Sequence, residues 1–123
     1  MPIAVLIVED EALVRIDLAC TLQEAGFKTF EANNAAAAIE VMETNSEIRV
    51  VFTDIEMPGT MDGLALSHYV RHRWPPTIIV ISSGRHRPEP DAMPHQAAFL
   101  AKPYDPAELG RVFTEIREQV AGG

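Results

Sequence analysis

The chain has 123 residues, a formal charge of -8 and one cysteine, Cys20. That length suits one domain with one core; a lone cysteine excludes an internal disulfide, and the acidic balance argues against direct nucleic-acid binding, which needs a basic face. Apolar residues make up 47% of the chain, yet no run nears the roughly 20 needed to cross a bilayer and the N-terminus has no secretory signal pattern, so a cytoplasmic protein without a membrane partner is expected.

The elements alternate along the chain. Ile3 to Val8 is a continuous apolar, β-branched run, as in a strand buried on both faces. Glu9, Asp10 and Glu11 open a helix on which Leu13, Ile16 and Cys20 recur at helical spacing, so Cys20 is expected to be a small buried core residue; Gly26 ends it. A weaker strand spans Phe27 to Glu31. Asn33 or Asn34 can cap a helix over residues 35–44, with Ile39, Val41 and Met42 on its apolar side. Val50 to Thr53 makes a third strand, and Gly63 to Arg73 is a third helix closed by Trp74-Pro75-Pro76.

Thr77 to Ser82 is the fourth strand and Phe99 to Ala101 a short fifth. Between them Pro88, Pro90 and Pro94 remove backbone donors, so a fourth helix is expected to be short or irregular, with at most a turn after Pro94. Asp105-Pro106-Ala107-Glu108 then starts the last helix, with Leu109, Val112, Phe113, Ile116 and Val120 on one stripe. Strands alternating with helices predict an α/β fold with a parallel sheet covered on both faces.

Polar residues gather where strands end. Glu9 and Asp10 follow the first strand, Asp54 the third, Ser82 and Ser83 the fourth and Lys102 the fifth. Open parallel sheets build sites outside these carboxyl ends. If strands one and three are neighbours their tips lie about 5 Å apart; carboxylates that close raise one another's pKa unless a cation or Lys102 offsets them, and a hard divalent ion with phosphate oxygens suits such a set.

The set Glu9-Asp10, Asp54 followed by Met57-Pro58-Gly59-Thr60-Met61-Asp62-Gly63, Ser82, and Lys102-Pro103 resembles the receiver domain of two-component response regulators over essentially the whole chain. The separation 54 - 10 = 44 residues is common in such domains. The resemblance implies a doubly wound, flavodoxin-like sheet of five strands in the order 2-1-3-4-5, filling residues 1–123 as a stand-alone receiver. It implies that Asp54 accepts a phosphoryl group from a sensor histidine kinase or a histidine phosphotransfer protein, with Mg2+ held by Glu9, Asp10, Asp54 and the main-chain carbonyl of Glu56. Ser82 becomes the switch hydroxyl, Lys102 the phosphate partner and Phe99 the aromatic switch residue, while Ser83 stands where the family keeps a small residue. A carboxylate can serve as such a nucleophile when charge on the transferring group is neutralised.

Three departures stand out. Asp54 to Gly63 spans ten residues where the family commonly has nine, lengthening the lip over the site. The proline-broken segment replaces the fourth helix, and Glu56 adds a carboxylate beside the acceptor. Only Ala121, Gly122 and Gly123 are expected beyond the last helix, so output would pass through another protein, and self-association into a homodimer stays open. The chain would not be an enzyme beyond gaining and losing the phosphoryl group on Asp54. Competing readings are a haloacid-dehalogenase-like phosphatase, from the strand followed by Asp54-Ile55-Glu56, and a phosphate-independent binding module. His68 and His72, four apart, lack a third ligand; His86 and His95 carry no motif; Arg71, Arg73, Arg85 and Arg87 read as solvated surface.

Overall fold

Five parallel strands form one sheet: β1 (Ala4–Val8), β2 (Lys28–Ala32), β3 (Ile48–Asp54), β4 (Ile78–Ser83) and β5 (Ala98–Ala101), in the order β2-β1-β3-β4-β5. This is the flavodoxin-like order expected. The computed structural model describes residues 2–85 and 87–122; His86, noted above, lies outside them. Helices α1 (Ala12–Glu24), α2 (Ala35–Thr44), α3 (Gly63–Arg73) and α4 (Pro106–Gly122) cover the sheet. Among the described residues no helix is long and apolar enough to cross a membrane.

The period of two along each strand divides the core into two layers. Val5, Ile7, Val50, Phe52, Val80 and Leu100 pack against Leu18, Ala19 and Leu22 of α1 and Leu109, Val112, Phe113 and Ile116 of α4. Leu6, Val8, Val51, Ile79 and Ile81 pack on the other face against Ala35, Ala38 and Met42 of α2 and Leu66 and Val70 of α3. Asn34 caps α2, accepting from the Ala37 amide at 2.7 Å, and Asp105 accepts from the Ala107 amide at 2.9 Å as α4 begins. That last helix also takes in Ala121 and Gly122, which the sequence reading left outside it.

The inward face of α1 differs from expectation. Leu13 is 84% and Ile16 49% exposed, and Cys20 is exposed too, whereas Leu18, Ala19 and Leu22 are buried. Leu13-Ile16-Cys20 and Leu18-Leu22 both satisfy helical spacing, and the position of the sheet selects the second stripe. Cys20 is therefore a surface thiol, not a core residue.

No α-helix joins β4 to β5 among the described residues. One 3-10 turn at Pro90–Ala92 takes its place, ahead of the position after Pro94 where a turn is expected; a β-turn with Gln96 at φ +62°, closed by Ala97 N–H to Pro94 O at 3.3 Å, follows Pro94. The segment hangs on α3. His68 Nε2 donates to the Ala92 carbonyl at 2.7 Å, and Arg71 Nε donates to the His95 carbonyl at 3.0 Å. Arg71 Nη1 also donates to the carbonyls of Pro75 (2.7 Å) and Thr77 (2.6 Å), so this arginine is a half-buried brace and not the solvated side chain expected.

Candidate functional site

The same period of two that builds the α1/α4 layer carries polar side chains past the strand ends. Glu9 continues Val5-Ile7, Asp54 continues Val50-Phe52, Ser82 follows Val80 and Lys102 follows Leu100. Strand pairing sets Asp54 directly beside Ser82. Glu9, Asp54 and Ser82 are 3%, 4% and 0% exposed, so the site is sunk into the sheet edge and not spread on the surface.

Lys102 Nζ lies between two of the acids. It pairs with Glu9 Oε1 and stands 3.3 Å from Asp54 Oδ2. Glu9 Oε2 accepts from the Glu11 amide at 3.1 Å, and Arg15 Nη1 donates to the Glu9 carbonyl at 2.8 Å, pinning the turn from β1 into α1. Asp10 is exposed, but one carboxylate oxygen each from Glu9, Asp10 and Asp54 lie within 4.8 Å of one another. Asp54 Oδ1 is, among the described residues, the buried side-chain polar atom with no hydrogen-bond partner. Such an orphan is costly unless another group serves it.

Burial raises the Asp54 carboxyl from 3.8 to about 6; Lys102 opposes the rise, while Glu9 and Glu56 add to it. Lys102 remains cationic, because its bond to Glu9 and the charges of Asp54 and Glu9 outweigh the burial that acts first against its charge. Three acids against one lysine leave excess negative charge. An orphaned oxygen and three close hard donors fit a divalent cation such as Mg2+.

The loop after β3 returns closely. Gly63 donates its amide to the Ile55 carbonyl at 2.9 Å, and a Cβ at Gly63 would meet the Asp54 carbonyl oxygen at 1.7 Å. Gly59, within the lengthened lip, has φ +106°, a conformation that favours glycine. The Glu56 side chain turns to the β4 end, where it accepts from Ser83 Oγ at 2.7 Å and from the Gly84 amide at 3.1 Å. Phe99 is not brought to this group: it packs in the α2/α3 layer with the Arg87 guanidinium 5.4 Å from its ring centre.

Residues 5–114 match the family model of the response regulator receiver domain. The chain belongs to that family. As a receiver it is 34% identical over 122 residues to sensor kinase CckA of Brucella abortus, covering 94% of this chain and 12% of that one. It is 35% identical over 112 residues to the transcriptional regulatory protein PdtaR of Mycobacterium tuberculosis, covering 89% of this chain and 54% of that one. It thus spans only about half or less of these curated relatives. Among solved structures, a response regulator receiver protein from Sinorhizobium medicae superposes with a TM-score of 0.81 at 30% identity, over 88% of each chain. Response regulator protein TrrA from Thermotoga maritima, in complex with Mg(2+)-BeF, gives 0.81 at 25% identity over 92% of this receiver and 97% of that chain.

Two residues at the receiver's site, Arg15 and Tyr104, go unmarked in the sequence pattern. Arg15 reaches back six positions to Glu9, which needs the angle between β1 and α1. Ser83, one of the polar residues expected at the end of the fourth strand, is the partner of Glu56. Tyr104 sends its hydroxyl to within 3.3 Å of Ser82 Oγ. Its place after Lys102-Pro103 is the one local signal for it.

Proposed function

We propose that Asp54 accepts a phosphoryl group from a phosphohistidine of a sensor histidine kinase or a histidine phosphotransfer protein, in the cytoplasm, with Mg2+ as cofactor. The observation that carries this reading is the buried Asp54, with Lys102 3.3 Å from Oδ2 and no partner on Oδ1. An Asp54 oxygen attacks phosphorus, the P–N bond to the donor histidine breaks, and the imidazole leaves with that electron pair and takes up a proton. Lys102 offsets the charge on the transferring group, and the Ser82 hydroxyl donates to one of its oxygens. When bound by Glu9, Asp10, Asp54 and the Glu56 carbonyl, Mg2+ supplies positive charge that offsets carboxylates and phosphoryl oxygens. The chain turns over no substrate of its own; hydrolysis of the aspartyl phosphate resets it. Residues 1–123 serve as the receiver, with Ser82 and Phe99 as its switch residues.

A protein donor, and not only a small molecule, is supported by α1. Exposed Leu13 lines a groove of about 1010 Å3 between α1 and α4 that reaches Gly84 and Lys102 at the site. Output passes to another protein through contacts, in keeping with a charge of -8 that disfavours nucleic acid.

The test is intact mass after incubation with Mg2+ and acetyl phosphate. A base-labile gain of one phosphoryl group in the wild type, absent in Asp54→Asn, is expected. No adduct with rapid release of phosphate from monoesters would favour a phosphatase, and no adduct without turnover a binding module.

A further inference from the structure

The Ser82 hydroxyl sits at the floor of the site with no exposure, its residue paired in register with Asp54. Its hydrogen-bond partner is not a carboxylate but the Tyr104 hydroxyl, at 3.3 Å. Resting on the reading of Asp54 as phosphoryl acceptor, we propose that Tyr104 is a positioning residue, whose hydroxyl orients that of Ser82 toward the phosphoryl group.

A serine hydroxyl has one proton and two lone pairs, and a tyrosine hydroxyl likewise both donates and accepts. For Ser82 to donate its proton to a phosphoryl oxygen on Asp54, its contact with Tyr104 has to run the other way, with Tyr104 donating to Ser82 Oγ. The chain Tyr104 O–H to Ser82 Oγ, Ser82 O–H to phosphoryl oxygen is then polarised in one direction, and each bond strengthens the other. Without a phosphoryl group the polarity is free to reverse, Ser82 donating to Tyr104 and its proton pointing away from Asp54.

Two features equip Tyr104 for this. Its ring stands edge-on against Phe52, centroids 5.5 Å apart and planes at 87°, and Phe52 stacks in turn on Phe113 at 6.0 Å, so the hydroxyl is aimed by the α4 layer and not by a mobile loop. Burial makes the hydroxyl harder to ionise, which keeps it a donor beside the charges of Lys102, Glu9 and Asp54. A buffer role alone, satisfying a buried serine, would give Tyr104 the same contact but no part in the transfer rate.

A double-mutant cycle on the full chain separates the two. Adduct formation and its hydrolysis are timed by intact mass with Mg2+ and acetyl phosphate for wild type, Tyr104→Phe, Ser82→Ala and the double variant. Tyr104→Phe keeps the ring contact and is expected to slow adduct formation about three- to tenfold, the size of one neutral hydrogen bond, with no further slowing when Ser82 is already alanine. A wild-type rate for Tyr104→Phe, or the same loss in the Ser82→Ala background, overturns the proposal while leaving Asp54 phosphorylation intact. Failure of the wild type itself to form an adduct overturns both.

Discussion

Ser83 Oγ donates to Glu56 Oε2 at 2.7 Å, tying the exit of β4 to the exit of β3, and the Gly84 amide donates to Oε1 at 3.1 Å. The Ser83 oxygen also accepts from the Arg85 amide at 3.0 Å, so one carboxylate organises the first turn of the irregular connection. Bonds to a charged acceptor contribute about 1.5–3 kcal/mol when partly shielded. Glu56→Ala should cost about 1–2 kcal/mol of stability and should speed amide exchange at Gly84 and Arg85 in the unphosphorylated protein, leaving β3 protected; unchanged exchange at Gly84 would mean the contact holds nothing in place.

Asp54 gives the receiver a distinct acid response. Its carboxyl is raised from 3.8 to about 6, so between those values the native state holds a proton that the unfolded chain has released. Stability therefore falls as pH rises through that window, and the loss is complete above it. In chelator, denaturant titrations of wild type and Asp54→Asn should diverge as pH is raised from 4 to 7, the asparagine variant becoming the more stable. Parallel curves would contradict the burial of that charge.

Lys102 is the local counterweight, paired with Glu9 and 3.3 Å from Asp54. Lys102→Met leaves two buried carboxylates opposed by no lysine, and a loss of about 2–4 kcal/mol is expected in chelator, by thermal or chemical unfolding. Millimolar Mg2+ should recover more stability in this variant than in the wild type, because the cation then does the neutralising alone. Equal recovery would argue that Lys102 and the cation do not share the acids.

Two glycines offer opposite outcomes. Gly63→Ala places a Cβ 1.7 Å from the Asp54 carbonyl oxygen, so the loop must move, and a cost of about 3 kcal/mol or more is expected together with slower adduct formation. At Gly110, inside α4, a Cβ meets nothing within 4 Å, and Gly110→Ala should raise stability by up to about 1 kcal/mol through helix propensity. Calorimetry of the pair checks both signs.

Leu13→Arg tests the donor surface. The side chain is 84% exposed, so stability should change by less than about 0.5 kcal/mol. Adduct formation from acetyl phosphate should be unaffected, while transfer from a phosphohistidine protein should slow about tenfold or more. Equal slowing from both donors would place the effect at Asp54 and not at docking.

Local rules made much of this legible. Apolar runs that end on Glu9, Asp54, Ser82 and Lys102 stand out because polar side chains then recur at the same end of successive strands, and the prolines at 88, 90 and 94 forbid a regular helix by backbone geometry alone. The α1 stripe is ambiguous in sequence because two sets of apolar residues share one period, and only the neighbouring sheet breaks that tie. The contacts of Arg71 with His95, Ser83 with Glu56 and Tyr104 with Ser82 span 22 to 27 positions, beyond the reach of any local rule.

The sequence by itself determined the alternation of strands and helices, the acids and lysine that gather at the strand ends, and the break between β4 and β5, since each follows from periodicity, composition or backbone restriction within a few residues. Tertiary structure alone decided which face of α1 is buried, which oxygen of Asp54 is left without a partner, and that Glu56 serves Ser83 while Tyr104 serves Ser82. Those outcomes depend on side chains from different elements competing for the same donors in a space of a few ångströms, and that competition exists only once the sheet has closed the distances.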